Sequence, residues 1–503
     1  MNCYELLKEE YKSKGDFNAL VYGELSLSLS ELLKYIDNVA SFLSAEGMGK
    51  GSVVSLLLPN CAQVIIAFYA LSKIGAVADF INPGEDDEVV AKELAETGAA
   101  LLICRNDRAK VFKNIRTVKC CESDFARTDY DYDSFCGALN FSKKCESKNG
   151  KTDYVTAMLH SGGTDGEKKT VCLTNGNINS VTEKLSFIFS GSEYGEEKSL
   201  LVLPVSHSFG LVASLHLPLT NGLGICVFEK FTPQKIYASI EKDNISFMTG
   251  VPEMYSGLLS CKPPHINSLK NLRYIFCGGD FVNSELESRF NAFLLKYGSK
   301  TRLYTGYGLS ETASVCCVNT DSGNKKGSVG KILDGVKMSI ENPDGNGEGE
   351  ITVEGPTVMK GYFPLNESRE QMIVHTGDIG RIDEEGFVFI LGRKKRLIVK
   401  SGYNLYPREM EKCVNSLDFV HNSCAVSIKK DGKIRIFLYL ETDKTGDVLQ
   451  TEIKSKIKAE LGRHYLPDVI IKAKKLPLTM MGKIDYKLLE ERSKTYEQTN
   501  QEA

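Results

Sequence analysis

At 503 residues the chain is too long for one ordinary core, so it should divide into two or more domains with room for a sizeable buried interior. Hydrophobic residues at 42% and charged residues at 25% give the balance of a globular protein that is neither disordered nor fibrous. Its 62 Lys plus Arg against 65 Asp plus Glu leave a net charge of −3 without a long basic block, which excludes a nucleic-acid footprint.

The chain begins Met1-Asn-Cys-Tyr-Glu-Leu-Leu-Lys8, an amphipathic helical pattern without the cationic region and apolar core of a signal peptide. Residues 53–58 read as an apolar strand, 62–73 as a helix that Gly75 ends, and 76–81 as a second strand before Asn82-Pro83. A helix over 87–97 and a strand over 100–104 follow. This βαβαβ alternation predicts a parallel sheet with helices on its faces. Strands are expected again near Leu200, Gly224, Ser246 and Arg273, with helices between them, one starting at Thr232 with Pro233 in its first turn. Open α/β sheets bind ligands at the carboxyl ends of their strands, so the chemistry belongs in the turns that follow.

Near residue 340 the pattern changes. Glu341-Asn-Pro-Asp-Gly-Asn-Gly-Glu-Gly349 is a hairpin signal, and 351–354 and 387–391 alternate like antiparallel strands, which predicts a small β subdomain. Beyond the cationic Lys394-Lys395-Arg396 the chain reads as an α+β unit, and 491–503 as a frayed polar tail. No apolar run approaches the roughly 20 residues of a membrane span, and a cytoplasmic location is expected. The 15 cysteines are scattered and read as free thiols; neither Cys120/Cys121 nor Cys316/Cys317 has the spacing of a zinc knuckle.

Five motifs offer chemistry. The first is Ser161-Gly162-Gly163-Thr164-Asp165-Gly166-Glu167-Lys168-Lys169, following the apolar stretch 155–159. Such loops aim backbone N–H groups and lysine at phosphate oxygens, although a plain surface hairpin would read the same way. It is not a Walker loop, because the Gly-Lys-Ser/Thr ending is missing. In Tyr304-Thr-Gly-Tyr307-Gly308-Leu-Ser310-Glu311-Thr312 the carboxylate suits a hard cation between phosphates; a turn with an exposed Glu is the plainer reading. In Cys277-Gly278-Gly279-Asp280 the missing side chains let a flat ring approach the backbone, unless this is only a strand-to-helix turn. The fourth is a string: His375-Thr-Gly-Asp378, then Gly392-Arg393-Lys394-Lys395, then Ser401-Gly402-Tyr-Asn404. A carboxylate is all acceptor and suits vicinal hydroxyls. The fifth, Pro477-Leu-Thr-Met-Met-Gly-Lys483, puts a lysine on a glycine-flanked loop.

Taken in order, from about residue 25 to 490, these motifs resemble those of the acyl-adenylate-forming family, in its acyl-CoA synthetase branch. Val171-Cys-Leu-Thr-Asn-Gly-Asn177 sets the register and makes Lys169 the loop lysine. Two positions depart from the pattern. Asp165 stands where the family has a hydroxyl residue and Lys168 where it has proline, so an anion lies among phosphates unless Mg²⁺ or Lys168 compensates.

The resemblance implies an α/β fold: an AMP-binding domain over 1–394, with parallel sheets, helices and a small β subdomain, and a mobile α+β lid over 395–503 hinged at Lys395. It implies ATP, Mg²⁺ and CoA as the small molecules bound. Ser161, Gly162, Gly163, Thr164, Gly166 and Lys169 would face phosphates, and Gly278, Gly279, Asp280, Tyr307 and Gly308 the adenine. Ser310 would reach the α-phosphate, Glu311 hold Mg²⁺, and Asp378, assisted by Arg393, take the ribose hydroxyls. Gly402 would line a pantetheine tunnel, and Lys483 would bridge the attacking carboxylate and the α-phosphate.

The stretch Leu203-Pro-Val-Ser-His207-Ser-Phe-Gly210 resembles the acyl- and aryl-CoA ligase version, with His207 beside the acid. Amino-acid-activating relatives carry Phe-Asp here to pair the α-ammonium, and no Asp lies between Leu200 and Lys230. A fatty or aryl acid is therefore expected, with CoA as acceptor. A carrier-protein pantetheine thiol is the alternative acceptor, and a non-catalytic adenylate-binding protein the alternative class.

Overall fold

The computed structural model describes residues 1–126, 131–143, 152–162, 168–365, 372–400, 403–430, 433–478 and 484–499. Two compact units emerge, one of Met1–Ser339, Thr352–Val374 and Asp383–Val388, the other of Ile340–Ile351, His375–Ile382 and Phe389–Ala503.

The larger unit holds two mainly parallel sheets. In the first, Leu303–Tyr307, Tyr274–Cys277, Ile245–Gly250, Lys198–Leu201, Gly224–Val227 and Asn18–Tyr22 run parallel, with antiparallel strands at both edges. The second orders Gly361–Tyr362, Lys168–Thr174, Val155–Gly162, Val77–Phe80, Val53–Leu57, Leu101–Arg105 and Thr117–Cys120. Parallel pairing runs from Val155–Gly162 to Thr117–Cys120, as the βαβαβ reading expects. Helix Ala62–Ile74 buries every one of its residues, which is why it is apolar all round, and Gly75 ends it in the left-handed region at φ 74°. Helix Leu29–Ala45 starts on a Ser28/Glu31 capping box. Helix Pro233–Lys242 does begin after Thr232, whose side chain makes no capping hydrogen bond; Pro233 carries the start alone.

The four strands Lys337–Glu341, Gly349–Glu354, Val374–Ile382 and Val388–Arg393 form the predicted small sheet. In the smaller unit a three-stranded sheet, Val420–Lys430, Lys433–Thr442 and Val469–Ala473, carries helices. Ile436, Leu438 and Leu440 join one core with Met410, Val414 and Ile453, while Phe437 and Tyr439 join another with Leu476 and Leu489. Both faces of the strand are thus covered.

One expectation fails. Residues 491–499 are not a frayed tail: helix Tyr486–Thr499 runs through them and buries Leu489, Ser493 and Glu497. Ser493 Oγ lies 2.9 Å from Tyr439 Oη, and Glu497 pairs with Lys430 and Arg435 at 2.9 and 3.1 Å. None of the fourteen described cysteines forms a disulfide. Among the described residues no helix is long and apolar enough to cross a membrane.

Candidate active site

The Ser161–Lys169 stretch is less of a loop than its composition suggests. Ser161 and Gly162 end strand Val155–Gly162, Lys168 and Lys169 begin strand Lys168–Thr174, and the two pair antiparallel with Ser161 opposite Lys169 and Gly162 opposite Lys168. Ser161 Oγ donates to the Lys169 carbonyl at 3.2 Å. Gly163, Thr164, Asp165 and Gly166 lie outside the described residues.

Strand Gly361–Tyr362 adds to the free edge of Lys168–Thr174, with Tyr362 opposite Val171. Tyr362 then does two things. Its ring lies under Lys169, whose Nζ is 5.1 Å from the centroid, and its hydroxyl donates to Glu311 Oε1 at 2.9 Å. Burial, reinforced by the Glu311 charge, pushes the phenol pKa up, so Tyr362 stays a donor. The Glu311 carbonyl also accepts from the Met359 N–H at 2.8 Å. Tyr362 was not legible in advance, because an aromatic beside a glycine carries no spacing signal.

Glu311 is presented by a tight turn at the carboxyl end of strand Leu303–Tyr307. A Cβ on Gly308 would fall 1.7 Å from the Ser314 carbonyl oxygen, so only glycine fits. A short 3₁₀ turn, Ser310–Thr312, follows, with Thr312 Oγ1 accepting from the Leu309 N–H at 2.9 Å. Ala313 and Ser314 close it at φ 52° and 105°, a strain the packing must hold. Ser310 and Glu311 are half-buried, as are Tyr307 and Gly308.

At the next strand end Gly278 is buried, its N–H donating to the Gly250 carbonyl at 3.1 Å. A side chain there would meet the Gly306 carbonyl at 3.2 Å and the Phe209 ring at 3.5 Å. Gly279 is exposed, and Asp280 turns back to accept from the Phe281 N–H at 2.7 Å, so its carboxylate shapes its own turn. His207 is half-buried just ahead of the π-helix Phe209–His216, and its backbone bonds Pro204 and Leu211. Phe209, on that helix, brings the His207 segment against the Gly278–Gly279 strand end.

The smaller unit holds a second group. Asp378, in strand Val374–Ile382, is 4% exposed, and its Oδ1 lies 2.9 Å from Arg393 Nε. Arg393, exposed at the end of Val388–Arg393, also donates to the Thr376 carbonyl at 3.4 Å, and Thr376 Oγ1 accepts from the Asp378 N–H at 3.1 Å. Lys395 is exposed in the short turn Lys394–Arg396, whose neighbours are tied down by Lys394–Glu350 and Arg396–Glu411 pairs, each at 2.6 Å. Glu341, Glu350 and His375 bring ligand-type atoms within 4.8 Å of one another. Lys394 and the Gly377 N–H already occupy the Glu350 carboxylate, and His375 pairs with Glu341 at 3.0 Å. Gly402 and Lys483 lie outside the described residues.

The model of the AMP-binding enzyme family matches residues 7–363. The chain is 27% identical to a long-chain-fatty-acid–CoA ligase of Bacillus subtilis, over 96% of this chain and 93% of that protein. It is 30% identical to a probable 4-coumarate–CoA ligase of Dictyostelium discoideum, over 78% and 77%. Among solved structures, ATP-bound MatB from Rhodopseudomonas palustris superposes with a TM-score of 0.87 at 22% identity, covering 98% of this chain and 99% of that one. The o-succinylbenzoate CoA synthetase of Bacillus subtilis, in complex with its acyl-adenylate, gives 0.82 at 22% identity, over 97% and 98%. With one family model spanning most of the sequence, this chain belongs to the AMP-binding enzyme family.

Proposed function

We propose that the protein is an ATP-dependent carboxylic acid–CoA ligase that forms an acyl-adenylate, releases pyrophosphate, and passes the acyl group to CoA with release of AMP. The observation that carries this reading is the Lys169–Tyr362–Glu311 chain, a cation and a carboxylate held one tyrosine apart at the carboxyl ends of two parallel-sheet systems. That is the pairing a nucleoside triphosphate and its hard cation require. Tyr362 occupies Glu311 Oε1 and leaves carboxylate oxygen for Mg²⁺, so the residues fit the metal; bound, it would neutralise phosphate charge.

In this reading Lys169, Ser161 and Ser310 bind phosphates, with Gly162, Gly163, Thr164 and Gly166 completing the loop. Gly278, Gly279, Tyr307 and Gly308 receive the adenine, and Asp280 sets the turn beside it. Asp378, oriented by Arg393, takes the ribose hydroxyls. His207 borders the acid, Lys483 supports adenylation, and Gly402 lies along the pantetheine arm. The lid begins at Lys395. The two ligase relatives support CoA over a carrier protein as acceptor and a fatty or aryl acid as substrate. A cytoplasmic location suits fourteen described cysteines that form no disulfide.

A panel of fatty and aryl acids mixed with MgATP, scored for pyrophosphate with and without CoA, tests this. Pyrophosphate should require both ATP and an acid, and a thioester should appear only with CoA. Absence of pyrophosphate across the panel refutes the ligase reading.

A further inference from the structure

The strands on either side of the Ser161–Lys169 turn are gripped by a charge network that no role above uses, buried at His160, Asp79 and Glu93 and open to solvent at Lys168. His160 directly precedes Ser161. Its Nε2 lies 2.7 Å from Asp79 Oδ1, and its Nδ1 lies 3.1 Å from Thr170 Oγ1 and 3.9 Å from Glu93 Oε1. Asp79 is wholly buried in strand Val77–Phe80 and also accepts from Ser55 Oγ at 2.5 Å and Thr97 Oγ1 at 3.3 Å. Lys168, opposite Gly162 in the ladder, reaches Glu93 at 3.0 Å and Glu85 at 2.9 Å. Glu93 belongs to helix Asp87–Thr97, is 4% exposed, and keeps its Oε2 without a partner among the described residues.

Three carboxylates therefore face Lys168 and the His160 ring. With a neutral ring, the two buried carboxylates have one cation, Lys168, beside them among the described residues, a costly arrangement for buried charge. With the ring charged, Nε2–H donates to Asp79 and Nδ1–H points at Thr170 and Glu93. Burial pulls the His160 pKa down, but the hydrogen bond and charge of Asp79, joined by Glu93, outweigh it and Lys168's opposition and carry it up. The Cys172 thiol, near Asp79, is pushed up to about 12 by burial and stays neutral.

Among the described residues Lys168 pairs with Glu85 and Glu93. A proline at this position would stiffen the backbone through its ring; here an ion pair anchored on a helix does so. We propose that His160 and Lys168, through Asp79, Glu85 and Glu93, form an electrostatic clamp that positions Ser161 and Lys169 toward the nucleotide phosphates and tightens when His160 is protonated. This rests on the ATP-dependent reading above. His160 and Lys168 are positioning residues.

The test compares wild type with K168M, K168R and H160Q, by steady-state pyrophosphate release between about pH 6 and 8.5 and by hydrogen exchange of strands 155–162 and 168–174. K168M should raise the KM for ATP about 10-fold, the size of one charge-assisted hydrogen bond, with the KM for the acid unmoved. K168R should restore the wild-type value. In wild type the KM for ATP should climb as pH rises through the His160 titration, and H160Q should flatten that climb. The clamp is overturned if K168M moves both KM values together or neither, if K168R fails as K168M does, or if H160Q keeps the wild-type pH profile. A wild type that releases no pyrophosphate with any acid sinks the ligase reading alone. The clamp is then decided by exchange, which K168M must speed in both strands and K168R must not.

Discussion

Asp378 shows what burial demands of a single carboxylate. At 4% exposure its Oδ1 is paired with Arg393 Nε at 2.9 Å and its backbone N–H is tied to Thr376 Oγ1, which fixes an all-acceptor group of the kind that suits a ligand's hydroxyls. Replacing Asp378 by Ala should weaken ATP binding by about 2–4 kcal/mol in calorimetry, the loss of a charge-assisted pair of hydrogen bonds. Unchanged affinity would remove it from the ribose role. His216 poses the opposite case. It is fully buried, with Nε2 3.0 Å from Asn179 Oδ1 and Nδ1 3.0 Å from Tyr69 Oη, an arrangement that suits a neutral ring donating at Nε2 and accepting at Nδ1. Burial drives its pKa down to about 3, so between there and the ordinary value of ~6.5 the unfolded chain binds a proton that the folded chain refuses. The stability His216 contributes is whole above ~6.5 and falls by about 1.4 kcal/mol for each pH unit below it. His160 has the reverse sign: its raised pKa gives a contribution complete below ~6.5 and lost as pH climbs through the raised value. His216→Gln should lower the melting temperature near pH 7 yet shrink the drop between about pH 7 and pH 5. A drop as steep as wild type's would discard this account.

At the scale of elements, the strands and helices read between residues 53 and 104 were legible because each carries its own pattern: a run of apolar residues for a doubly covered strand, a glycine where a helix stops. Helix Tyr486–Thr499 was not. Its inward stripe goes from Leu489 to Ser493 to Glu497, correctly spaced but polar after the first residue, so it reads as solvated until Tyr439, Lys430 and Arg435 are seen opposite it. Glu497→Ala should destabilise the smaller unit by about 1–3 kcal/mol in urea unfolding, since two partly exposed cations lose a buried partner. A chain ending at Glu490 should lose more and speed hydrogen exchange in strand Lys433–Thr442. Exchange there matching the full-length protein would mean that the helix does not support the sheet. The hairpin across Ser161–Lys169 had a composition legible as phosphate-binding; its pairing into the sheet was not, because Gly, Asp and Lys have weak strand preference and the partner edges lie far off in sequence.

At the scale of the molecule, the two units have separate cores, which is what a lid that moves as a body requires. If Lys483 works only in adenylation, Lys483→Ala should slow pyrophosphate release by about 10²–10³ while ready-made acyl-adenylate still reacts with CoA at near the wild-type rate. Lys395→Pro, which constrains φ at the proposed hinge, should do the converse and spare adenylation. Equal losses in both steps for either variant would refute the division of labour. The class of enzyme, the alternation of strands and helices, and the order of the motifs were determined by the sequence alone, since each depends on residues close together along the chain. The tertiary structure alone decided that Tyr362 would join Lys169 to Glu311, that Lys168 would serve Glu85 and Glu93, and that His160 and His216 would be pushed in opposite directions. Those outcomes depend on which groups lie within a few ångströms after folding, and burial multiplies the worth of such neighbours far beyond anything composition reveals.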